Sequence, residues 1–290
     1  MRLVVKFNLV LLVIFVLGFA AAAAVSASLL ERSAREDVLQ DARLIMESAL
    51  ATRAYTINQV APLLKKLGDS EFLPQTVPAF AATEQFETLH AKLQDFSYKE
   101  ATLNPTNPRD RSTDWEVDIV NSFRQSPERT EIVGERETPL GRFLYLGRPI
   151  VVRDSACLSC HSTVEAAPKS MIQKYGPANG FGWRLNETVG AQLVSVPMAL
   201  PISRADRALY TFLAFLGGIF LSVFVALNVM LRWIVVRRLA TLSRLADEVS
   251  LGKIDGPDFP SSGHDEVSGL AQSFNRMKKS VAHAIKMLEE

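Results

Sequence analysis

Cysteine is scarce in this chain, and its few positions narrow the chemistry. The 290 residues contain two cysteines, Cys157 and Cys160, and His161 follows the second one directly. On spacing alone the pair is compatible with a redox dithiol, with half of a zinc site, or with attachment of c-type haem through Cys-x-x-Cys-His. A plain structural pair also fits. To choose between these four kinds of site, it must first be known on which side of a membrane the cysteines lie.

Charge is missing from two long stretches, Leu9–Ala27 and Leu209–Leu231. Each is long enough to cross a hydrocarbon core of roughly 30 Å. The Ala-rich end of the first stretch also resembles a signal-peptidase site. A retained helix is favoured because the apolar run is longer than the usual core of a signal peptide.

Basic residues flank both stretches on their outer ends, with Arg2 and Lys6 before the first and Arg232, Arg237 and Arg238 after the second. This pattern predicts that both ends of the chain lie in the cytoplasm. The expected order is a cytoplasmic N-terminus (1–8), a transmembrane helix (9–29), an extracytoplasmic domain (30–206), a second transmembrane helix (209–231) and a cytoplasmic segment (232–290). We expect the protein in the inner, cytoplasmic membrane with a periplasmic domain.

Further metal ligands are also lacking in the extracytoplasmic segment. A zinc site would need more thiolates or imidazoles, and His90 is the one other histidine of that segment. A thioredoxin-type dithiol is expected near a β-α-β pattern. Here the pair follows a strand-like run and precedes a polar, proline-containing stretch. We therefore favour one covalent haem c, with thioethers to Cys157 and Cys160 and with His161 as the proximal iron ligand.

The segment between the spans has helix and strand patterns in a mixed order. Apolar steps of three and four residues predict a long helix from Ala34 to about Lys66. The other predicted helices are Ala82–Gln94 and Trp115–Ser126, and the predicted strands are Glu131–Val133, Phe143–Val152 and Val189–Val196. A loop with two Asn-Pro turn signals covers Asn104–Asp110. This order predicts an α+β, PAS-like fold.

Two apolar heptad seams follow the second span. Their members are Val235, Leu239, Leu242, Ala246 and Val249, then Val267, Leu270, Phe274, Met277, Val281, Ala284 and Leu288. Such a/d repeats predict helices that need coiled-coil partners. Gly252 is expected to end the first helix, and Gly263–Asp265 to precede the second. This segment resembles a HAMP domain, most specifically in DEVSGL and FNRM, although Arg238 stands where such domains usually have proline. The resemblance implies a parallel four-helix bundle made by two chains.

The extracytoplasmic segment resembles the periplasmic c-type haem sensor family, which includes soluble cyanobacterial haem proteins with a PAS-like fold. The resemblance rests on RAYTINQVAPLL, YKEATLNPTNPRD, GRPIVV, CLSCHS and KYGPANGFGWRLNETVGAQLVSVP and covers roughly Arg43–Pro201. In the soluble relatives a cysteine is the distal ligand, whereas both cysteines here are needed for attachment. Met46 is the preferred substitute. The alternatives are Met171, Met198, His90 or an open site that would bind a gas.

Five further residues are candidates for lining the haem pocket: Arg53, Tyr55, Lys99, Arg148 and Trp183. The basic ones could pair with haem propionates. Ordinary packing or solvated surface positions are equally compatible with their sequence context.

The expected function is a homodimeric membrane sensor that converts redox state or small-ligand binding into a conformational change of the HAMP segment. The sequence contains no Gly-rich phosphate loop and no kinase, cyclase or methyl-accepting segment. We therefore expect no enzyme activity, and a separate cytoplasmic output protein of the kinase, cyclase or chemotaxis type. No nucleic-acid partner is expected. A membrane-anchored c-type cytochrome in electron transfer is the alternative.

Overall fold

The computed structural model describes residues 3–67, 71–92 and 96–289. They fall into two compact units. One unit spans Ala27–Ala208, and we call it the intervening domain. The other contains the residues up to Ser26 together with Leu209–Glu290.

Helices and strands follow one another in a mixed order, with helices at both ends of the chain. In chain order they are α1 (Leu3–Tyr55), α2 (Ala61–Leu67), α3 (Pro78–His90), β1 (Ser97–Thr102), α4 (Asp114–Gln125), β2 (Ile132–Thr138), β3 (Gly141–Val151), α5 (Leu158–His161), α6 (Lys169–Tyr175), β4 (Thr188–Pro197), α7 (Ala199–Met230), α8 (Arg237–Ser250) and α9 (Glu266–Glu289). Single π-helical segments, Thr56–Val60 and Leu231–Val236, follow α1 and α7.

The four strands form one antiparallel sheet in the order β1-β4-β3-β2. The α+β prediction is thus confirmed, although the sequence pattern predicted only three of the strands and made β2 too short. The strand it missed, β1, carries Lys99 and Glu100 at its centre. Glu100 is nevertheless 2% exposed. A buried charge breaks the alternation of apolar and polar residues by which a half-buried strand is recognised.

Helix α1 covers one face of the sheet. Its buried side chains recur every three or four residues at Ala34, Val38, Ala42, Met46 and Ala49. All but Ala34 pack with α3 and with the sheet residues Leu144, Leu146, Val194 and Val196. The long helix predicted from Ala34 to about Lys66 is confirmed, apart from the π-helical turn within it.

Helix α4 covers the opposite face. Ile119, Val120 and Phe123 pack on Ala191 and Leu193. A capping box between Thr113 and Glu116 sets the start of this helix, one residue from its predicted start. Helix α3 begins four residues before its predicted start, and its predicted end, Gln94, lies outside the described residues.

Among the residues that the structure describes, two helices are long and apolar enough to cross a membrane. They contain the two uncharged stretches, and they touch through Phe15 and Phe220, whose rings stack at 4.8 Å. Gly18 and Gly217 lie against the same aromatic cluster. Two apolar helices on either side of the intervening domain fit a two-span membrane protein.

Helices α8 and α9 pack around a small core made of Leu242, Leu245, Phe259 and Ala271. As predicted, Gly252 follows α8 in the left-handed region, at φ +83°. Asp265 precedes α9 and accepts the backbone N–H of Ser268, as an N-cap does. The predicted seams are only partly buried within one chain, since Leu270 and Met277 are 44% and 46% exposed.

Candidate functional site

The two thiols lie on one short helical turn just after β3. Asp154 accepts the backbone N–H of Ala156, and this turn leads the chain into α5. Cys157 and Cys160 are three residues apart, so their side chains lie on the same side of the turn. Both are free thiols, and Cys157 is exposed. The turn therefore carries both thiols on one side.

His161 is held in one orientation by a backbone carbonyl. Its Nδ1 lies 2.7 Å from the oxygen of Gly180. Because a carbonyl oxygen can only accept, Nδ1 carries the proton and Nε2 keeps its lone pair. Burial lowers the pKa of His161, which favours the neutral imidazole. The ring also stacks on Trp183, with centroids 3.9 Å apart. Nε2 is therefore in the state that a metal ligand requires.

A second loop fixes the Gly180 segment. Asn104 accepts the Gly180 N–H at 3.2 Å and donates to the Phe181 carbonyl at 3.3 Å. Thr106 places its hydroxyl 3.5 Å from Nδ1 of His161. The Asn-Pro loop predicted at 104–110 thus contacts His161 directly through Thr106. It also contacts the Gly180 segment, which bonds to His161, through Asn104.

Arg53 reaches the site from the end of α1. Its guanidinium forms an ion pair with Glu100, with Nη1 2.6 Å from Oε1. Tyr98 donates to the same carboxylate at 2.8 Å, and Gln192 donates to the Tyr98 hydroxyl. Burial and Asp154 raise the pKa of Cys157, while the charge of Arg53 acts in the opposite direction. Arg53 is therefore close enough to influence the thiol electrostatically.

Arg148 forms ion pairs away from the Cys-His turn. It lies on the same row of the sheet as Gln192 and Glu100. Its ion-pair partners are Glu47 on α1, at 2.7 Å, and Glu131, at 3.1 Å. Arg148 therefore connects α1 to the β2 edge of the sheet, and its charge is already neutralised by these carboxylates.

The remaining sequence candidates are dispersed. Tyr55 is 63% exposed. Met46 is fully buried in the core between α1 and the sheet, seven residues before Arg53, and Met198 belongs to the same core. Met171 is buried on α6. His90 is exposed and contacts the Phe96 carbonyl at 2.9 Å. Lys99 pairs with Glu116 at 2.7 Å.

Sequence reasoning missed Glu100, Asn104, Thr106 and Gly180 as parts of this site. The Asn-Pro repeat and the Gly-rich GPANGFGW stretch were visible, but a pattern does not show that two loops meet. Within the part of the chain that the structure describes, no group of three or more His, Cys, Asp or Glu side chains could hold a metal ion. The arrangement instead combines two thiols with one imidazole.

Comparison with known proteins identifies the family to which the intervening domain is related. Residues 31–197 match the model of the Tll0287-like family, which is more than half of the 290 residues. The chain belongs to the Tll0287-like family. Among solved structures, this Tll0287-like chain is similar to the crystal structure of the cyanobacterial haem protein Tll0287. The identity is 20%, the TM-score is 0.43, and the match covers 55% of this chain and 94% of that one. A comparison with curated proteins finds no match.

Beyond the Tll0287-like domain, residues 230–283 match a HAMP domain. Both resemblances noted in the sequence are thereby confirmed. A HAMP domain that follows two apolar helices in the sequence indicates a signal-transducing membrane receptor.

Proposed function

We propose that this protein is a membrane-bound, haem-based signal transducer without enzyme activity of its own. One haem c is attached through Cys157 and Cys160, and Nε2 of His161 is the proximal iron ligand. The observation that carries the proposal is the combination of two free thiols on one helical turn with a neutral imidazole whose Nδ1 proton is committed to a carbonyl. The name of the related cyanobacterial haem protein agrees with it.

Cys157, Cys160 and His161 fit the requirements of a covalently bound haem. Thioether formation needs two reduced thiols at this spacing, and ligation needs a neutral histidine with one free nitrogen. When bound, haem iron supplies a centre that responds to redox state or to a small ligand. The protein's own residues orient the imidazole through Gly180 and cover it with Trp183. Arg53 and Tyr55 remain proposed pocket residues. Arg148 could approach a propionate only by giving up a carboxylate partner.

The proposed location is the inner membrane, with the intervening domain in the periplasm and the HAMP domain in the cytoplasm. The Arg-rich segment after α7 supports this orientation. Signalling requires two packings of the membrane helices and the HAMP bundle. Their difference in free energy must be comparable with the differential interaction at the site. A homodimer formed through the HAMP domain would present the result to a cytoplasmic kinase, cyclase or chemotaxis protein.

Electron transfer is the second candidate, and the exposure of Cys157 favours it, because a carrier needs an accessible haem edge. Removal of the HAMP segment separates the two candidates. Electron exchange with a soluble redox partner should survive this truncation, whereas a signalling output should be lost. If the signalling output does not change when the HAMP segment is removed, the electron-transfer function is favoured.

Covalent attachment is tested by extraction. Protein made together with haem-attachment machinery should keep its pigment in acid-acetone, and the Cys157→Ser/Cys160→Ser variant should lose it. A wild-type protein that is colourless, or that releases its pigment under acid, would refute the proposal. Ser159→Ala is the matched control on the same turn and should retain the pigment.

For the distal position we propose Met46, with His90 or an open site as the alternatives. The Met46 thioether is fully buried in the core between α1 and the sheet, on the same helix as Arg53. The ferric protein should then have the weak long-wavelength band typical of methionine-iron bonding, and Met46→Leu should abolish it. Leu is close in volume, so the fold should persist. An unchanged spectrum in this variant would exclude Met46.

A further inference from the structure

We infer that Asn104 is a positioning residue for the proximal histidine and thereby sets the reduction potential of the bound haem. This inference rests on the proposed function. Asn104 is distant in sequence from Cys157 and His161, and it acts through the Gly180 segment. Three features of the structure support it.

The first feature is the two-sided attachment made by the Asn104 amide. Its oxygen accepts the N–H of Gly180, and its NH₂ group donates to the carbonyl of Phe181. The Gly180 carbonyl, which lies between these two bonded groups, is the acceptor for the His161 ring. One side chain therefore restricts the peptide units on both sides of that carbonyl.

The second feature is the close approach of the two loops. Gly180 has φ +87°, and a Cβ at this position would lie 2.9 Å from Cα of Thr106 and closer still to its hydroxyl. Only glycine allows this contact, because any other residue would have both a strained backbone and a clash. The loop that carries Asn104 is thus pressed against the loop that carries the acceptor.

The third feature is the backbone pairing that holds the other side of the acceptor loop. Gly182 donates to the carbonyl of Ser162 at 2.9 Å, and Trp183 donates to that of His161 at 3.1 Å. These bonds place Trp183 on the imidazole face. Asn104 restrains the acceptor loop from the other side, at Gly180 and Phe181.

The chemical consequence concerns the basicity of the histidine. A ring N–H that donates to a fixed acceptor makes the opposite nitrogen a stronger donor to iron. A stronger donor stabilises the oxidised metal more than the reduced one. Loosening the Gly180 carbonyl should therefore make the iron easier to reduce, and the potential should shift upward.

The test compares Asn104→Ala and Asn104→Ser with Asn107→Ala in the haem-loaded, full-length protein. Asn107 is a matched control because it lies in the same loop and its side chain accepts an N–H within that loop, from Arg109. In a redox titration, the ratio of reduced to oxidised protein at a fixed potential should rise severalfold in Asn104→Ala. It should rise less in Asn104→Ser, whose hydroxyl can replace one of the two bonds, and stay unchanged in Asn107→Ala.

A second readout follows the ring proton itself. Solvent exchange of the His161 Nδ1–H, measured by NMR, should be faster in both Asn104 variants and unchanged in Asn107→Ala. Asn104→Ser decides the question if Asn104→Ala does not fold. Wild-type potential and exchange in a folded Asn104 variant would overturn the inference.

The proposed function can fail separately. If the wild-type protein carries no covalent haem, the proposed function is wrong. The exchange experiment on the unloaded protein would then still show whether Asn104 holds the histidine. If haem is attached and the potential does not change in the Asn104 variants, only the inference about Asn104 is wrong.

Discussion

At the scale of single residues, one buried carboxylate determines how the end of α1 meets the sheet. Glu100 is 2% exposed and accepts from Arg53 and Tyr98. A buried charge is tolerated only when it is paired and hydrogen-bonded, and here both conditions are met. The Arg53 side chain keeps 22% of its exposure, so it loses only part of its solvation.

Replacing Glu100 with Gln should destabilise the protein by about 3 kcal/mol, because Arg53 would remain partly buried without its counter-charge. The measurement is the midpoint of thermal unfolding in detergent. Glu137→Gln is the control. Glu137 pairs with Arg142 at 3.3 Å but keeps 74% of its side-chain exposure, so its loss should cost about 0–1 kcal/mol. Equal losses in the two variants would contradict this assignment.

A second residue-scale prediction concerns pH. Burial raises the pKa of Asp110 to about 6, from an ordinary value of 3.8. The folded state therefore binds this proton more tightly than the unfolded state does. The contribution of Asp110 to stability is present at low pH and is lost as the pH rises from about 4 to about 6.

Asp110→Asn cannot ionise, so it should not lose stability as the pH rises. The variant should therefore unfold at a higher temperature than wild type at pH 7. The difference should shrink toward pH 4. Asp118→Asn, an exposed position on α4, serves as the control and should follow the wild-type profile. A pH profile of Asp110→Asn that is parallel to wild type would refute the prediction.

At the scale of elements, the connector between α8 and α9 is held by specific contacts. Phe259 is 2% exposed and stacks on Phe274 at 5.2 Å. Asn275 accepts the backbone N–H of Phe259 at 2.8 Å and donates to its carbonyl at 2.9 Å. Lys278 donates to Asp258 at 3.0 Å. The asparagine in the FNRM motif therefore binds the connector backbone.

Phe259→Ala should release the connector, because it removes a buried ring at a cost of about 3–5 kcal/mol. Limited proteolysis should then cleave between residues 251 and 265 much faster than in wild type. Leu251→Ala is the control, since Leu251 is 78% exposed at the start of the same connector. Equal cleavage rates for Phe259→Ala and wild type would show that the ring does not hold the segment.

At the scale of the whole molecule, α9 keeps an uncovered apolar stripe. Leu270, Met277 and Val281 are 44%, 46% and 39% exposed and lie on one face at heptad spacing. The small core within one chain covers other seam residues, among them Leu242 and Phe274, and adds Leu245 and Ala271 from outside the predicted seams. A second chain in a parallel bundle would cover the stripe.

Cross-linking tests this arrangement. Met277→Cys should form a disulfide between chains in membranes, since d positions of a parallel dimer face each other. A Cys157→Ser/Cys160→Ser background ensures that only the introduced thiol reacts. Lys279→Cys, on the opposite face of α9, should form far less of the cross-linked dimer. Equal cross-linking at both positions, or none at 277, would argue against a HAMP dimer.

The sequence by itself determined the features that depend on neighbouring residues. The Cys-x-x-Cys-His run, the two uncharged stretches, the heptads and the long amphipathic face of α1 are all local patterns. Helix periodicity and membrane length translate such patterns directly into structure. For that reason the order of spans, mixed domain and helical tail could be predicted.

Only the tertiary structure decided which distant groups meet. The predicted site residue Arg53 pairs with Glu100, and Arg148 pairs with carboxylates on α1 and beside β2. The His161 ring bonds to the carbonyl of Gly180, and Asn104 accepts the N–H of Gly180. These contacts follow from strand register and loop packing, which join residues tens of positions apart. Local spacing contains no information about such pairs, because their geometry exists only after the sheet has formed.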